Sequence, residues 1–100
     1  MIIYVDIDET ICTNEPDRDY AKAKPIKEHI EKINALYEKG HTIVYWTARG
    51  GTTGIDWRII TKDQLKKWQA KYHQLEMGNK PHFDILIDDK AINIEGLNSL

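Results

Sequence analysis

Two pairs of carboxylates and one hydroxyl carry most of the chemistry this sequence can do. Asp6 and Asp8 stand one residue apart after the apolar run Ile2-Ile3-Tyr4-Val5, Asp88 and Asp89 end the segment Phe83-Asp84-Ile85-Leu86-Ile87, and Thr47 ends Thr42-Ile43-Val44-Tyr45-Trp46. Acids this close repel each other and are costly to bury without a partner. The arrangement therefore makes sense mainly around a cation, and Mg²⁺, a hard ion that takes oxygen ligands and keeps several waters, suits it. The weaker, competing reading makes Asp8-Glu9-Thr10 a turn and helix cap, and Asp88-Asp89 a turn. Three separate segments that all end in oxygen-bearing side chains are harder to explain that way.

The elements needed to present these groups can be read around them. The runs ending at Asp6 and Thr47 are apolar at almost every position and rich in β-branched and aromatic residues, the pattern of strands covered on both faces of a parallel sheet. Between them, Pro25 suits a first helical turn, and Ile26, Ile30, Ile33, Leu36 and Tyr37 recur at helical spacing to about Lys39, where Gly40 is a natural stop. A right-handed crossover of this kind sets the two strand ends side by side, and in open α/β sheets ligands bind outside those ends. Thr61-Lys62-Asp63-Gln64 has the form of a capping box, which predicts a second helix from Thr61 with Leu65, Trp68 and Tyr72 inward and Trp57 in the loop before it. Tyr72 to Met77 predicts a short third strand. Residues 11–24 and 50–60 read as loops, His29 and His41 as surface residues, and His73 carries no recognisable role. Cys12 reads as a small buried hydrophobe rather than a reactive thiol.

One hundred residues are enough for one domain with a core, spanning 1–100, and too few for a second lobe. Fourteen basic against 16 acidic residues, a net charge of −2, give no bulk attraction to nucleic acid or anionic membrane. A single cysteine cannot form an internal disulfide, and neither a signal peptide nor a long apolar span is visible, so a cytoplasmic location is expected.

Asp6-Ile7-Asp8-Glu9-Thr10, directly after an apolar strand, resembles the DxDxT signature of the haloacid dehalogenase (HAD) superfamily of phosphatases and phosphotransferases. The resemblance extends from Ile2 to about Asn93. It implies an α/β fold, a three-layer sandwich with a HAD-like Rossmannoid parallel sheet, its first strand central and no cap domain. It further implies Asp6 as the nucleophile, Asp8 as the proton donor and later base, Thr47 as a hydrogen-bond donor to the transferring phosphoryl group, and a Mg²⁺ site from Asp6, Asp8 through its backbone carbonyl, Asp88 and, further out, Asp89. Gly78-Asn79-Lys80-Pro81 resembles the motif whose Lys neutralises the phosphate. Only seven residues separate Lys80 from Asp88, whereas a helix usually intervenes in the family, so Lys90 stands as the geometric rival. Arg49 reads either as a further bidentate phosphate or substrate contact or as one half of a surface ion pair. The Pro25 helix, Tyr45-Trp46-Thr47-Ala48-Arg49-Gly50 and Ile87-Asp88-Asp89-Lys90-Ala91 look like small capless members associated with capsule or surface-polysaccharide biosynthesis.

The expected activity is thus Mg²⁺-dependent hydrolysis of a phosphate monoester, and the expected partner a small phosphorylated metabolite, a sugar or polyol phosphate. No membrane or nucleic-acid partner is expected. Because neither loop is long enough to enclose a sugar, a homo-oligomer is expected in which a neighbour's loop around Trp57 and Arg58 helps wall the pocket. One alternative keeps the chemistry on a macromolecular substrate, a nucleic-acid end or phosphoprotein. A receiver-like phospho-signalling module is the other, and the order of acids and Thr along the chain argues against it.

Overall fold

The computed structural model describes residues 1–13, 22–47, 57–78, 85–88 and 92–93, with the backbone of the last two strands and the side chain of Ile87. The elements are β1 (Ile2–Asp6), α1 (Lys27–Glu38), β2 (Thr42–Thr47), α2 (Trp57–Lys67), β3 (Gln74–Met77), β4 (Ile85–Asp88) and β5 (Ile92–Asn93). All described strand pairings are parallel, in the order β3-β2-β1-β4-β5, so β1 is central as expected. This is a small Rossmann-like α/β fold. No helix of the described residues is long and apolar enough to cross a membrane.

Register fixes which side chains share a face. Val5 lies opposite Tyr45 and Ile87, and Tyr45 opposite Leu75, while Ile3 lies opposite Ile43. These residues form one buried cluster with Ile30, Ile33 and Leu36 of α1 and Leu65 of α2. Both helices therefore cover the same face, as two right-handed crossovers running in the same direction along a sheet require. The opposite face carries Tyr4, Val44, Trp46 and Glu76, of which Val44 is buried and the other three half-buried.

The first crossover follows the sequence pattern closely. Pro25 stands just outside α1, and Gly40 ends it in a left-handed conformation (φ 96°) that spares it the Cβ clash other residues would meet. There the Gly40 and His41 N–H groups return to Tyr37 and Leu36 O at 3.0 and 3.2 Å, satisfying the last carbonyls.

The second crossover corrects the sequence reading. α2 starts at Trp57, not at Thr61, and Thr61 and Gln64 are buried inside it. Trp57, Ile60, Thr61, Gln64, Leu65 and Trp68 fall at a helical period, so Thr61 lies on the buried face inside the helix and not at its start. Trp57 and Arg58 accordingly form its first turn, not a loop. His73, without a role in sequence, closes the edge of β2. Its backbone N–H donates to Ile43 O at 2.8 Å, its Nδ1 accepts from the Ile43 N–H at 3.1 Å, and its ring stacks on Tyr37 with centroids 4.8 Å apart.

Among the described residues Tyr45 is the largest fully buried side chain, and its hydroxyl has no hydrogen-bond partner among them. Burial accordingly pushes the phenol pKa well above its usual value. A buried unpaired polar group costs about 1–3 kcal/mol. Tyr45→Phe is therefore expected to stabilise the fold by about 1 kcal/mol, read as a thermal midpoint about 4–8 °C higher; an unchanged or lower midpoint would show that the hydroxyl is satisfied.

Candidate functional site

β1 delivers Asp6, half-buried, at its carboxyl end, paired in register with Trp46. The chain continues one step along the sheet, with the Ile7 N–H on Trp46 O at 3.1 Å and Ile7 itself fully buried, and then turns sharply. The Thr10 and Ile11 N–H groups both return to Ile7 O, at 3.2 and 3.0 Å. Glu9 takes a positive φ of 67° and donates its N–H to Cys12 O at 3.0 Å, which brings Cys12 into a parallel bridge beside Asp8. An αL conformation at a non-glycine residue is unfavourable by about 1 kcal/mol, so the surroundings must hold it.

Those surroundings are explicit. Cys12 also bridges Pro25, Ile26 donates its N–H to Ile11 O at 2.8 Å, and the Thr13 N–H donates to Lys24 O at 2.9 Å. His29, in the first turns of α1, is buried and not on the surface as its sequence context suggested. Its Nδ1 lies 2.6 Å from Thr10 O. A carbonyl can only accept, so Nδ1 carries the proton, and the ring ties the turn to α1. Thr10 is itself fully buried, with a hydroxyl that has no partner among the described residues.

β2 brings Thr47 to the same end of the sheet. Its hydroxyl donates to Asp8 Oδ2 at 3.1 Å. The Cys12 thiol lies 3.7 Å from the other oxygen, Asp8 Oδ1, and 3.6 Å from Ile7 O. Behind Thr47 the chain is held by Gly78, whose N–H donates to Thr47 O and whose carbonyl accepts from Trp46 Nε1, both at 3.1 Å. Gly78 has φ 108°, a conformation open to glycine at little cost.

On the other flank of β1, the register Val5↔Ile87 continued by one residue sets the Asp88 backbone, the last of β4, level with Asp6. Asp6, Asp8, Thr47 and the backbone of Asp88 thus meet at the carboxyl ends of three adjacent strands. Arg49, Lys80, Asp89 and Lys90 lie outside the described residues. Among the described side chains, which do not include the Asp88 carboxylate or Asp89, no group of three or more His, Cys, Asp or Glu gathers to hold a metal ion. Arg58 donates from Nη1 to Leu75 O at 3.4 Å and so serves the α2–β3 contact of its own chain.

The contacts of Cys12 and His29 were missed in sequence. His29 had a usable signal, since 29, 33 and 36 share the period of the apolar face of α1. Cys12 had none, because its approach to Asp8 depends on the geometry of the turn.

Neither family models nor curated proteins give a match to the chain. Solved structures do. A structural-genomics target from Vibrio cholerae is similar at 27% identity and a TM-score of 0.75, over 99% of this chain and 88% of that one. A chain of the Pnkp1/Rnl/Hen1 complex superposes at a TM-score of 0.67 with 16% identity, over 93% of this chain and 40% of that one, a likeness of fold alone.

Proposed function

We propose that the protein is a Mg²⁺-dependent phosphomonoesterase of the haloacid dehalogenase type, acting on a small sugar or polyol phosphate through an aspartyl-phosphate intermediate. The observation that carries this reading is the hydrogen bond from Thr47 to Asp8 at the carboxyl ends of β2 and β1, beside Asp6 and the end of β4. Two turns that merely favour Asp would have no reason to converge with a buried hydroxyl at one edge of the sheet.

The roles follow from that arrangement. An Asp6 carboxylate oxygen attacks phosphorus in line, the bond from phosphorus to the leaving oxygen breaks, and Asp8 gives that oxygen its proton. Asp8 then takes a proton from water, whose oxygen attacks phosphorus and breaks the bond to Asp6, releasing inorganic phosphate, restoring the Asp6 carboxylate and returning Asp8 to its protonated form. The Thr47 hydroxyl has a single proton, so donating to Asp8 and donating to a phosphoryl oxygen are alternatives. A bound phosphoryl group must therefore take the donation over from Asp8.

The donors present fit Mg²⁺: the Asp6 carboxylate, the Asp8 backbone carbonyl and Asp88 are all hard oxygen ligands. That the Asp8 side chain is occupied by Thr47 and Cys12 agrees with Asp8 contributing its carbonyl. Mg²⁺, when bound, supplies positive charge against the carboxylates and the phosphoryl oxygens.

Selectivity for a small substrate requires further walls around an edge-of-sheet site, and a second copy of the chain would supply them. The test is phosphate release by the purified protein from a panel of phosphorylated metabolites and a generic aryl phosphate with Mg²⁺, with light scattering on the same sample. Steady turnover with preference for sugar or polyol phosphates by an oligomer is the expected result. No release from any monoester overturns the phosphatase reading, and a strict monomer selective for a small sugar phosphate overturns the assembly.

A further inference from the structure

We infer that Cys12 is a positioning residue for Asp8, holding the carboxyl group in the orientation from which it protonates the leaving oxygen. This inference rests on the reading of Asp8 as the proton donor. The turn after β1 is built so that Cys12 comes back beside Asp8: Glu9 adopts a positive φ, its N–H closes on Cys12 O at 3.0 Å, and Asp8 and Cys12 form a bridge. Cys12 is fully buried, and its Sγ lies 3.7 Å from Asp8 Oδ1 while Thr47 holds Oδ2 at 3.1 Å. A carboxyl group contacted on each oxygen from a different element is restrained about its terminal torsion, which is otherwise broad.

The two contacts are unequal in a useful way. The Thr47 hydroxyl is the stronger donor and is the one a phosphoryl group would draw away. The thiol is a weak donor with one proton to share between Asp8 Oδ1 and Ile7 O, and its contact on Asp8 is not one that the phosphoryl group draws on. Asp8 is then still aimed at the moment its proton is needed. A misplaced acid loses rate in proportion to how much the reaction depends on protonating the leaving group. Leaving-group dependence therefore separates this role from simple space filling.

The experiment compares the whole protein with Cys12→Val, which keeps the position apolar and removes the donor, and Cys12→Ser, which keeps a donor. Each is assayed with Mg²⁺ on p-nitrophenyl phosphate, whose leaving group needs little protonation, and on glycerol phosphate, whose alkoxide needs it. The expected result is a fall in kcat of about tenfold for Cys12→Val on glycerol phosphate, with less than about a twofold change on p-nitrophenyl phosphate and in either KM. Cys12→Ser is expected to recover most of the glycerol phosphate rate. Equal losses on the two substrates, no loss on glycerol phosphate, or a serine variant indistinguishable from valine would overturn the inference alone. Should Cys12→Val fail to fold, Cys12→Ala takes its place under the same criteria. A wild-type protein that releases phosphate from neither of these nor any monoester of the panel overturns the phosphatase reading and this inference with it.

Discussion

Asp6→Asn is expected to lower phosphate release by roughly 10⁴-fold or more while leaving the fold intact. The amide keeps the shape of the carboxylate and loses its charge and nucleophilicity. The backbone of Asp6 is paired in register with Trp46, and that pairing does not depend on the side chain. The thermal midpoint of the metal-free protein should hold or rise, because Asp6 stands close to Asp8 in sequence and level with Asp88 across the sheet, and removing one of several like charges relieves repulsion. Circular dichroism and a thermal scan beside the activity assay distinguish lost chemistry from lost structure. Near-native activity in Asp6→Asn would mean that another group accepts the phosphoryl.

Chelation is the second large effect. With EDTA, turnover is expected to fall at least about 100-fold and to return on adding excess Mg²⁺, since several kcal/mol of charge neutralisation at the phosphoryl group is withdrawn. Stability should respond in parallel. A cation that binds only the folded chain stabilises it by about 2.7 kcal/mol at a hundredfold excess over its Kd, so Mg²⁺ should raise the thermal midpoint measurably. Full activity in the presence of chelator would remove the cation from the reaction.

Much of the scaffold was legible because it follows from local pattern. β1 and β2 are continuous apolar runs, α1 has an apolar face ended by Gly40, and one right-handed crossover between two strands leaves little choice about where Asp6 and Thr47 end up. The second crossover was less legible, since Thr61-Lys62-Asp63-Gln64 satisfies a capping pattern and an interior helical period equally well. Only the burial of Thr61 and Gln64 within α2 decides between them. His29 and Cys12 illustrate a different limit. What they touch depends on how the chain doubles back between Ile7 and Cys12, and that path is set by a positive φ at Glu9 and by bonds to residues 24–29, distant contacts that leave no periodic trace.

The strand order also carries a consequence for how the chain folds. β1 finds one neighbour through α1, with Ile2 opposite Thr42, but finds the other only when Ile3 meets Ile85. Loop closure across so many residues is slow, so the β1-α1-β2 unit is the natural nucleus and β4 a late arrival. During synthesis Asp6 and Asp8 emerge first, and the Thr47 bond to Asp8 needs only this early half. Asp88 joins last. The third strand end of the proposed site is thus assembled after the first two.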